Sequence, residues 1–244
     1  MNEQRIKVDT SFIIPTYDRF ESLKETIKCI RSIPDDVNIW VVSDGNEKNA
    51  ELLKTLPPLK LGIFENSERR DWPYSINKVL QLVESRIYVP FADDITFNGK
   101  DFKNALDFYD QCFPDLDGVV GLGQDLTNFG MGAFTIFGAH YAESFPYKAV
   151  YCPDYSHYYS DQEHYLYSNS IGKYRFFDGI NLKHRDRNER GGFLFKDKTN
   201  QLAHTVIAKD RSTFDLRQSK GLLWGKSFVT TSPNRRWPRN DKTS

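Results

Sequence analysis

The sequence predicts an α/β protein with a mainly parallel central sheet flanked by helices and a loop-rich C-terminal arm. Three observations carry that prediction. Short β-branched and aromatic runs alternate with segments whose apolar residues recur every three to four positions, the rhythm of strand and helix units joined in a parallel sheet. Several of the strand-like runs stop at Pro, Gly or Asp, at the strand ends where such sheets bind ligands. Beyond residue 187 periodicity fades and glycines punctuate a basic stretch, which reads as an extension and not as a second domain.

Composition sets limits. The 244 residues are 39% hydrophobic and 27% charged, enough for one large domain or two small ones with a sizeable core. No apolar run approaches the length of a membrane span, and the polar start Met1-Asn2-Glu3-Gln4-Arg5 is unlike a signal peptide, so a cytoplasmic setting is expected. Cys29, Cys112 and Cys152 are too few and too scattered for a disulfide framework or a zinc knuckle. Net charge is zero but unevenly spread: residues 1–182 carry 18 Lys/Arg against 27 Asp/Glu, and residues 183–244 carry 15 against 6. The acidic part suits a cation site, and the basic tail suits phosphate groups, a polyanion or plain solvent.

Taken in order, residues 8–14 form a first strand that ends at Pro15-Thr16-Tyr17. Asp18 with Glu21 resembles a capping box, and Phe20, Leu23, Ile27 and Ile30 follow at helical spacing. Residues 37–42 form a second strand closed by the polar turn Ser43-Asp44-Gly45-Asn46, followed by a helix over 47–53 and a third strand over 59–64. After a charged loop containing Arg69 and Arg70, Pro73 opens a helix carrying Ile76, Val79, Leu80 and Val83 on one face. Residues 86–91 then form a strand that ends at Ala92-Asp93-Asp94. A helix over 100–113 is stopped by Pro114, and strands are predicted over 118–123 and 130–138. Residues 141–177 are crowded with tyrosine, suited either to stacking on sugar or base faces or to ligand-free packing. Within them a helix over 161–171 begins at Asp161-Gln162-Glu163, and short strands over 174–177 and 181–183 lead to His184.

Two features carry chemistry on their own. Adjacent carboxylates at a strand end, Asp93 and Asp94, are natural ligands of a hard divalent cation, or else they open a turn. Asp161 in the first turn of a helix is either a cap or a carboxylate available for proton transfer. Transfer of a sugar from a nucleotide diphosphate would use both: a cation to neutralise the leaving diphosphate, and a base for the attacking hydroxyl.

The ordered set of residues 11–19 (Ser-Phe-Ile-Ile-Pro-Thr-Tyr-Asp-Arg), Val41-Val42-Ser43-Asp44-Gly45, Phe91-Ala92-Asp93-Asp94 and Asp161-Gln162-Glu163 resembles the family 2 glycosyltransferases, whose catalytic domain has the GT-A fold. The likeness covers roughly residues 10–185. It implies a catalytic domain over 1–187, with a donor half about 1–98 and an acceptor half about 99–187, and a basic extension over 188–244. It further implies that Pro15, Thr16, Tyr17 and Arg19 line the nucleotide, that Asp44 binds the base, usually uracil, and that Arg69 and Arg70 reach the diphosphate. Asp94 would be the ligand of Mn²⁺ or Mg²⁺, with Asp93 nearer the ribose or a metal-bound water and His184 a further metal ligand. Asp161 would be the base of an inverting displacement, with Glu163 its substitute. The sequence departs from the family pattern at Arg70-Asp71-Trp72-Pro73-Tyr74-Ser75-Ile76-Asn77, where a small-residue and arginine signature is usual. The acceptor implied is a polysaccharide or glycan, with a hydroxylated base in DNA as the alternative. Two other classes share some of these features. A nucleotidyltransferase normally carries a glycine-rich basic loop where Pro15-Thr16-Tyr17 stands, and a non-catalytic carbohydrate or nucleic-acid binding module leaves the acidic strand end without a purpose.

Overall fold

The computed structural model describes residues 6–124, 130–185 and 198–231. Its first half repeats strand and helix: β1 (Ile6–Thr16), α1 (Phe20–Arg31), β2 (Val37–Asp44), α2 (Glu47–Leu53), β3 (Leu61–Asn66), α3 (Trp72–Leu82) and β4 (Val83–Pro90). A two-residue strand β5 (Ile95–Thr96) precedes α4 (Gly99–Cys112), β6 (Val119–Gln124) and β7 (Thr135–Gly138). The short α5 (Ala139–Glu143), a 3-10 turn (Pro146–Lys148), α6 (Ser160–Ser170), β8 (Tyr174–His184) and α7 (Lys198–Ser219) follow among the described residues.

The eight strands form one sheet in the order β3-β2-β1-β4-β7-β6-β8-β5. Pairs β2–β3, β1–β2, β1–β4 and β6–β8 are parallel, whereas β7 runs antiparallel to both β4 and β6. The chain goes from β1 outward to β2 and β3, then returns to place β4 on the other side of β1. That reversal is a topological switch point, and a crevice opens there at the carboxyl ends of the strands.

Strand residues alternate between two apolar layers. Phe12, Ile14, Ile39, Val41, Ile87 and Val89 face the layer covered by α1 and α4. Ile13, Trp40, Val42 and Tyr88 face the layer covered by α3 and the tyrosine-rich segment. Each such side chain contributes roughly 1.5–3 kcal/mol on burial, so a one-residue slip in register is strongly disfavoured. The stripe Leu23, Thr26, Ile27 and Ile30 seats α1 on the sheet, and Phe102, Ala105, Leu106 and Tyr109 do the same for α4.

Several expected boundaries shift for identifiable reasons. Asp18 and Glu21 form no capping box: Arg19 is the N-cap of α1 and makes no side-chain cap bond. The Asp18 carboxylate instead accepts the Thr199 hydroxyl of α7. Val83 ends α3 in extended geometry and opens β4, so it belongs to the strand. The strand expected over 130–138 is confined to Thr135–Gly138, while the two short strands expected near the end of the sheet are one, β8. The arm beyond residue 187 was expected to be loop-rich, yet it contains the 22-residue helix α7. Gly191-Gly192 and the Pro233 to Arg239 stretch lie outside the described residues.

Candidate active site

A cleft of about 240 Å³ opens at the switch point. Its walls are the loop after β1, the end of β2, the turn before α3, the residues after β4, the start of α6, the end of β8 and the first turns of α7.

Asp93 and Asp94 stand just past β4, 4% and 5% exposed. Their backbone is fixed on both sides. The Thr26 hydroxyl of α1 bonds both the amide and the carbonyl of Ile95, and the Arg185 amide at the end of β8 donates to the Asp94 carbonyl at 2.8 Å. Arg19 reaches both carboxylates through one nitrogen, Asp94 Oδ2 at 2.8 Å and Asp93 Oδ1 at 3.3 Å. Asp93 Oδ2 and the nearby Thr16 hydroxyl are buried with no hydrogen-bond partner at bonding distance among the described residues. Burial pushes the Asp93 carboxyl up to about 7; Arg19 opposes this, Asp94 adds to it, and the facing Thr16 hydroxyl, beyond bonding distance, opposes it to a smaller degree.

That unmet bonding capacity fits a hard divalent cation, which takes one or two protein carboxylates and completes its shell with water and phosphate. His184 lines the same cleft, and its strand partner is Ile95, next to Asp94. Among the described residues, however, no group of three or more His, Cys, Asp or Glu side chains is gathered closely enough to hold a metal. The imidazole packs on Phe134 with ring centres 5.6 Å apart.

Asp44, at the end of β2, is occupied differently. Oδ1 accepts from the Asn66 amide at 2.8 Å, the Arg70 amide at 2.8 Å and the Ser75 hydroxyl at 3.4 Å, and Oδ2 accepts from the Asp71 amide at 2.9 Å. It therefore shapes the wall of the cleft by clasping the turn before α3. Gly45 makes that clasp feasible: its φ is +77°, and a β-carbon there would lie 2.1 Å from the Arg69 nitrogen. Asp71, at φ +70° and ψ 173°, occupies a region that only glycine adopts readily, so the clasp also holds backbone strain at the site. Arg69 and Arg70 diverge. Arg69 lines the cleft, pairs with Asp71 at 3.0 Å and lies over the Tyr17 ring, whereas Arg70 turns away to Glu68 at 2.6 Å and does not line the cleft.

Asp161 lies in the first turn of α6 and lines the cleft with Tyr158 and His157. Burial raises the Asp161 carboxyl above its ordinary range; the amides of Gln162 and of Asp161 itself oppose that shift. Burial lowers His157 to about 4, helped by Arg69, so this imidazole is neutral at pH 7. Glu163 is no substitute base, because it is fully buried among Arg217, the Trp224 amide and the Tyr155 hydroxyl.

The model of glycosyl transferase family 2 matches residues 11–132, half of the chain, from β1 through both acidic strand ends. The chain belongs to glycosyl transferase family 2. Solved structures show that its fold is GT-A. TarS of S. aureus (residues 1–349) aligns with a TM-score of 0.53 and 14% identity over 73% of this chain and 60% of that one. A mannosyltransferase of Pyrobaculum calidifontis, in complex with GDP-Man and Mn²⁺, aligns with a TM-score of 0.56 and 17% identity over 76% and 59%. TarS in complex with UDP-GlcNAc aligns with a TM-score of 0.53 and 13% identity over 76% and 61%. The present chain thus spans about three fifths of the length of these structures. No curated protein matches it.

Of the residues singled out in the sequence, Pro15, Thr16, Tyr17, Arg19, Asp44, Arg69, Asp93, Asp94, Asp161 and His184 all line one cleft, and Arg70 does not. Trp72 and His157 line it as well and escaped sequence reasoning, and of the tyrosine-rich segment Tyr158 lines it. Trp72 carried the clearest signal, a large aromatic just before a helix-opening proline. The tyrosines divide: Tyr141, Tyr151, Tyr155 and Tyr174 are buried in the core and Tyr159, Tyr165 and Tyr167 pack against it, so most of the tyrosine-rich segment is packing. Among the described residues no helix is long and apolar enough to cross a membrane.

Proposed function

We propose that this protein is a nucleotide-sugar glycosyltransferase that moves a sugar from a nucleotide diphosphate donor, a UDP-sugar in the first instance, to a hydroxyl of a glycan with inversion at the anomeric carbon. One observation carries the reading: a single cleft at the switch point holds both a buried acidic pair, in which Asp93 Oδ2 has no partner at bonding distance among the described residues, and a further carboxylate, Asp161, raised by burial. Family membership and the nucleotide-sugar complexes of similarly folded enzymes support it.

In this reading the loop Pro15-Thr16-Tyr17 and Arg69 receive the nucleotide, while the clasped turn at Asp44 sets the shape of its pocket. Asp93 and Asp94 would hold Mn²⁺ or Mg²⁺, which when bound supplies positive charge to the departing diphosphate. Arg19 keeps the two carboxylates in place from the wall. Trp72, Phe134 and Tyr158 offer aromatic faces to sugar rings. Asp161 takes the proton of the acceptor hydroxyl as its oxygen bonds to the anomeric carbon. The bond from that carbon to the diphosphate oxygen breaks on the opposite side, and the diphosphate leaves with the electron pair. A carboxylate raised by burial is a stronger base than a solvated one, and a single base gives a single displacement, hence inversion.

The test is release of nucleoside diphosphate from a panel of UDP- and GDP-sugars, with and without Mn²⁺ or Mg²⁺ and with glycan or hydroxymethylated DNA as acceptor. Asp161→Asn should slow transfer by roughly 10²–10⁴-fold while donor affinity stays within about twofold. Donor affinity that fell together with activity would reassign Asp161 to the donor side. Absence of diphosphate release from every donor would overturn the reaction class, and transfer to DNA alone would overturn the acceptor.

A further inference from the structure

The helix α7 comes from the C-terminal extension, outside the span of the family match, yet it forms part of the cleft wall through Thr199 and Ala203. Its inward stripe continues along the helix through Asp210, Phe214 and Arg217, each one or two turns further on. These three residues all meet the segment that carries Asp161.

Asp210 is fully buried and accepts three consecutive backbone amides: Ser156 at 2.9 Å, His157 at 2.7 Å and Tyr158 at 2.9 Å. Consecutive amides converging on one carboxylate form an anion-binding concavity, and here the anion is supplied by the protein itself. One turn along, the Phe214 ring packs on Tyr159 with centres 5.2 Å apart. Tyr159 is the residue before α6, held at φ +67°, and it makes no side-chain cap. Arg217 then pairs with Glu163 at 2.8 Å, on the far side of Asp161. Asp161 is therefore bracketed: residues 156–159 before it and Glu163 after it are both fastened to one helix.

We infer that α7 sets the position of Asp161 in the cleft, with Asp210 as the principal positioning residue, so that the acceptor side of the site is incomplete without the C-terminal helix. The inference rests on the reading of Asp161 as the base. Asp210 itself stays behind the loop and touches no reacting atom. Its three bonds fix the turn from which α6 starts, and the start of α6 fixes the Asp161 carboxylate relative to Asp93 and Asp94. A misplacement of about 1 Å in such a group costs roughly a hundredfold in rate.

The experiment uses the full chain with Asp210→Asn, which keeps the volume and turns an amide group toward the three donors, and with Asp210→Glu, which keeps the charge. Amide hydrogen exchange at residues 156–158, kcat for transfer and donor affinity by calorimetry are measured on each. In Asp210→Asn those amides should lose protection and kcat should fall roughly a hundredfold, with donor affinity within about twofold of wild type. Asp210→Glu should recover part of both the protection and kcat. Amides as protected as in wild type, or opened amides with unchanged kcat, would overturn the inference. Should Asp210→Asn fail to fold, Asp210→Glu decides alone: a lower kcat at an unchanged melting temperature supports positioning, and a wild-type kcat refutes it. If the wild-type protein transfers no sugar, the functional reading fails and the exchange measurement, which needs no substrate, still settles whether Asp210 holds the turn.

Discussion

Arg217 and Arg19 each stand between two buried carboxylates, and the two clusters are built to different ends. Arg217 pairs with Glu163 and Asp154, all three of them 0–1% exposed. The remaining capacity there is met: Glu163 also accepts the Trp224 amide and the Tyr155 hydroxyl, and Asp154 accepts the amide and hydroxyl of Thr231. Arg19 pairs with Asp93 and Asp94 at the cleft, but Asp93 keeps a buried oxygen with no partner at bonding distance among the described residues. Residue types do not separate the two clusters; satisfaction does. A finished network fixes one structure, whereas an unfinished one next to a cleft marks where a ligand belongs.

Breaking the finished cluster should have the largest effect on folding. Arg217→Met leaves Glu163 and Asp154 buried without their counter-charge, which costs about 3–5 kcal/mol. Urea unfolding measures it, and a loss below about 1 kcal/mol would mean that the cluster relaxes into water and is less closed than its geometry indicates. The cleft cluster should respond in the opposite sense. Asp94→Asn should lower metal-dependent turnover by roughly a hundredfold or more, since it removes support from charge that develops on the leaving group. Its stability should move by no more than about 1 kcal/mol, because relief of repulsion with Asp93 offsets the lost bond from Arg19. Unchanged turnover would remove Asp94 from any part in the reaction.

The same contrast explains what the sequence disclosed. The donor half was legible because its strands are apolar on both faces and its helices carry clean stripes; α2 falls on the expected residues, 47–53. The acidic strand ends were legible because nothing apolar competes for them. By contrast, α7 was hidden, since its inward stripe includes Thr199, Asp210 and Arg217, and a helix anchored by polar residues shows no apolar period. Asp18 looked like a cap because Glu21 follows at the right spacing, but a partner 181 residues away in sequence claims its carboxylate. Likewise, no local pattern distinguishes Arg69 from Arg70. The geometry of the Asp44 clasp turns one into the cleft and the other to Glu68.

The smallest expected effect is the most direct measure of whether the cleft cluster is unfinished. Asp93 titrates near 4 in an unfolded chain and is pushed up to about 7 in the fold, first by burial and further by Asp94, against the pull of Arg19. Between those values the folded protein holds a proton that the unfolded chain has released. Asp93 therefore favours folding most at the acid end of that window, and its contribution falls as pH rises through 7. Asp93→Asn isolates this slope from the other carboxylates: in the presence of a chelator, its unfolding free energy relative to wild type should be highest at pH 8 and decline toward pH 5. Binding of Mn²⁺ or Mg²⁺ to the wild type near pH 6.5 should release protons, seen as calorimetric heats that vary with the ionisation enthalpy of the buffer. In Asp93→Asn the proton release should vanish. A difference that stayed flat across pH would mean that Arg19 alone already balances the pair, and that the cleft cluster is as closed as the one around Arg217.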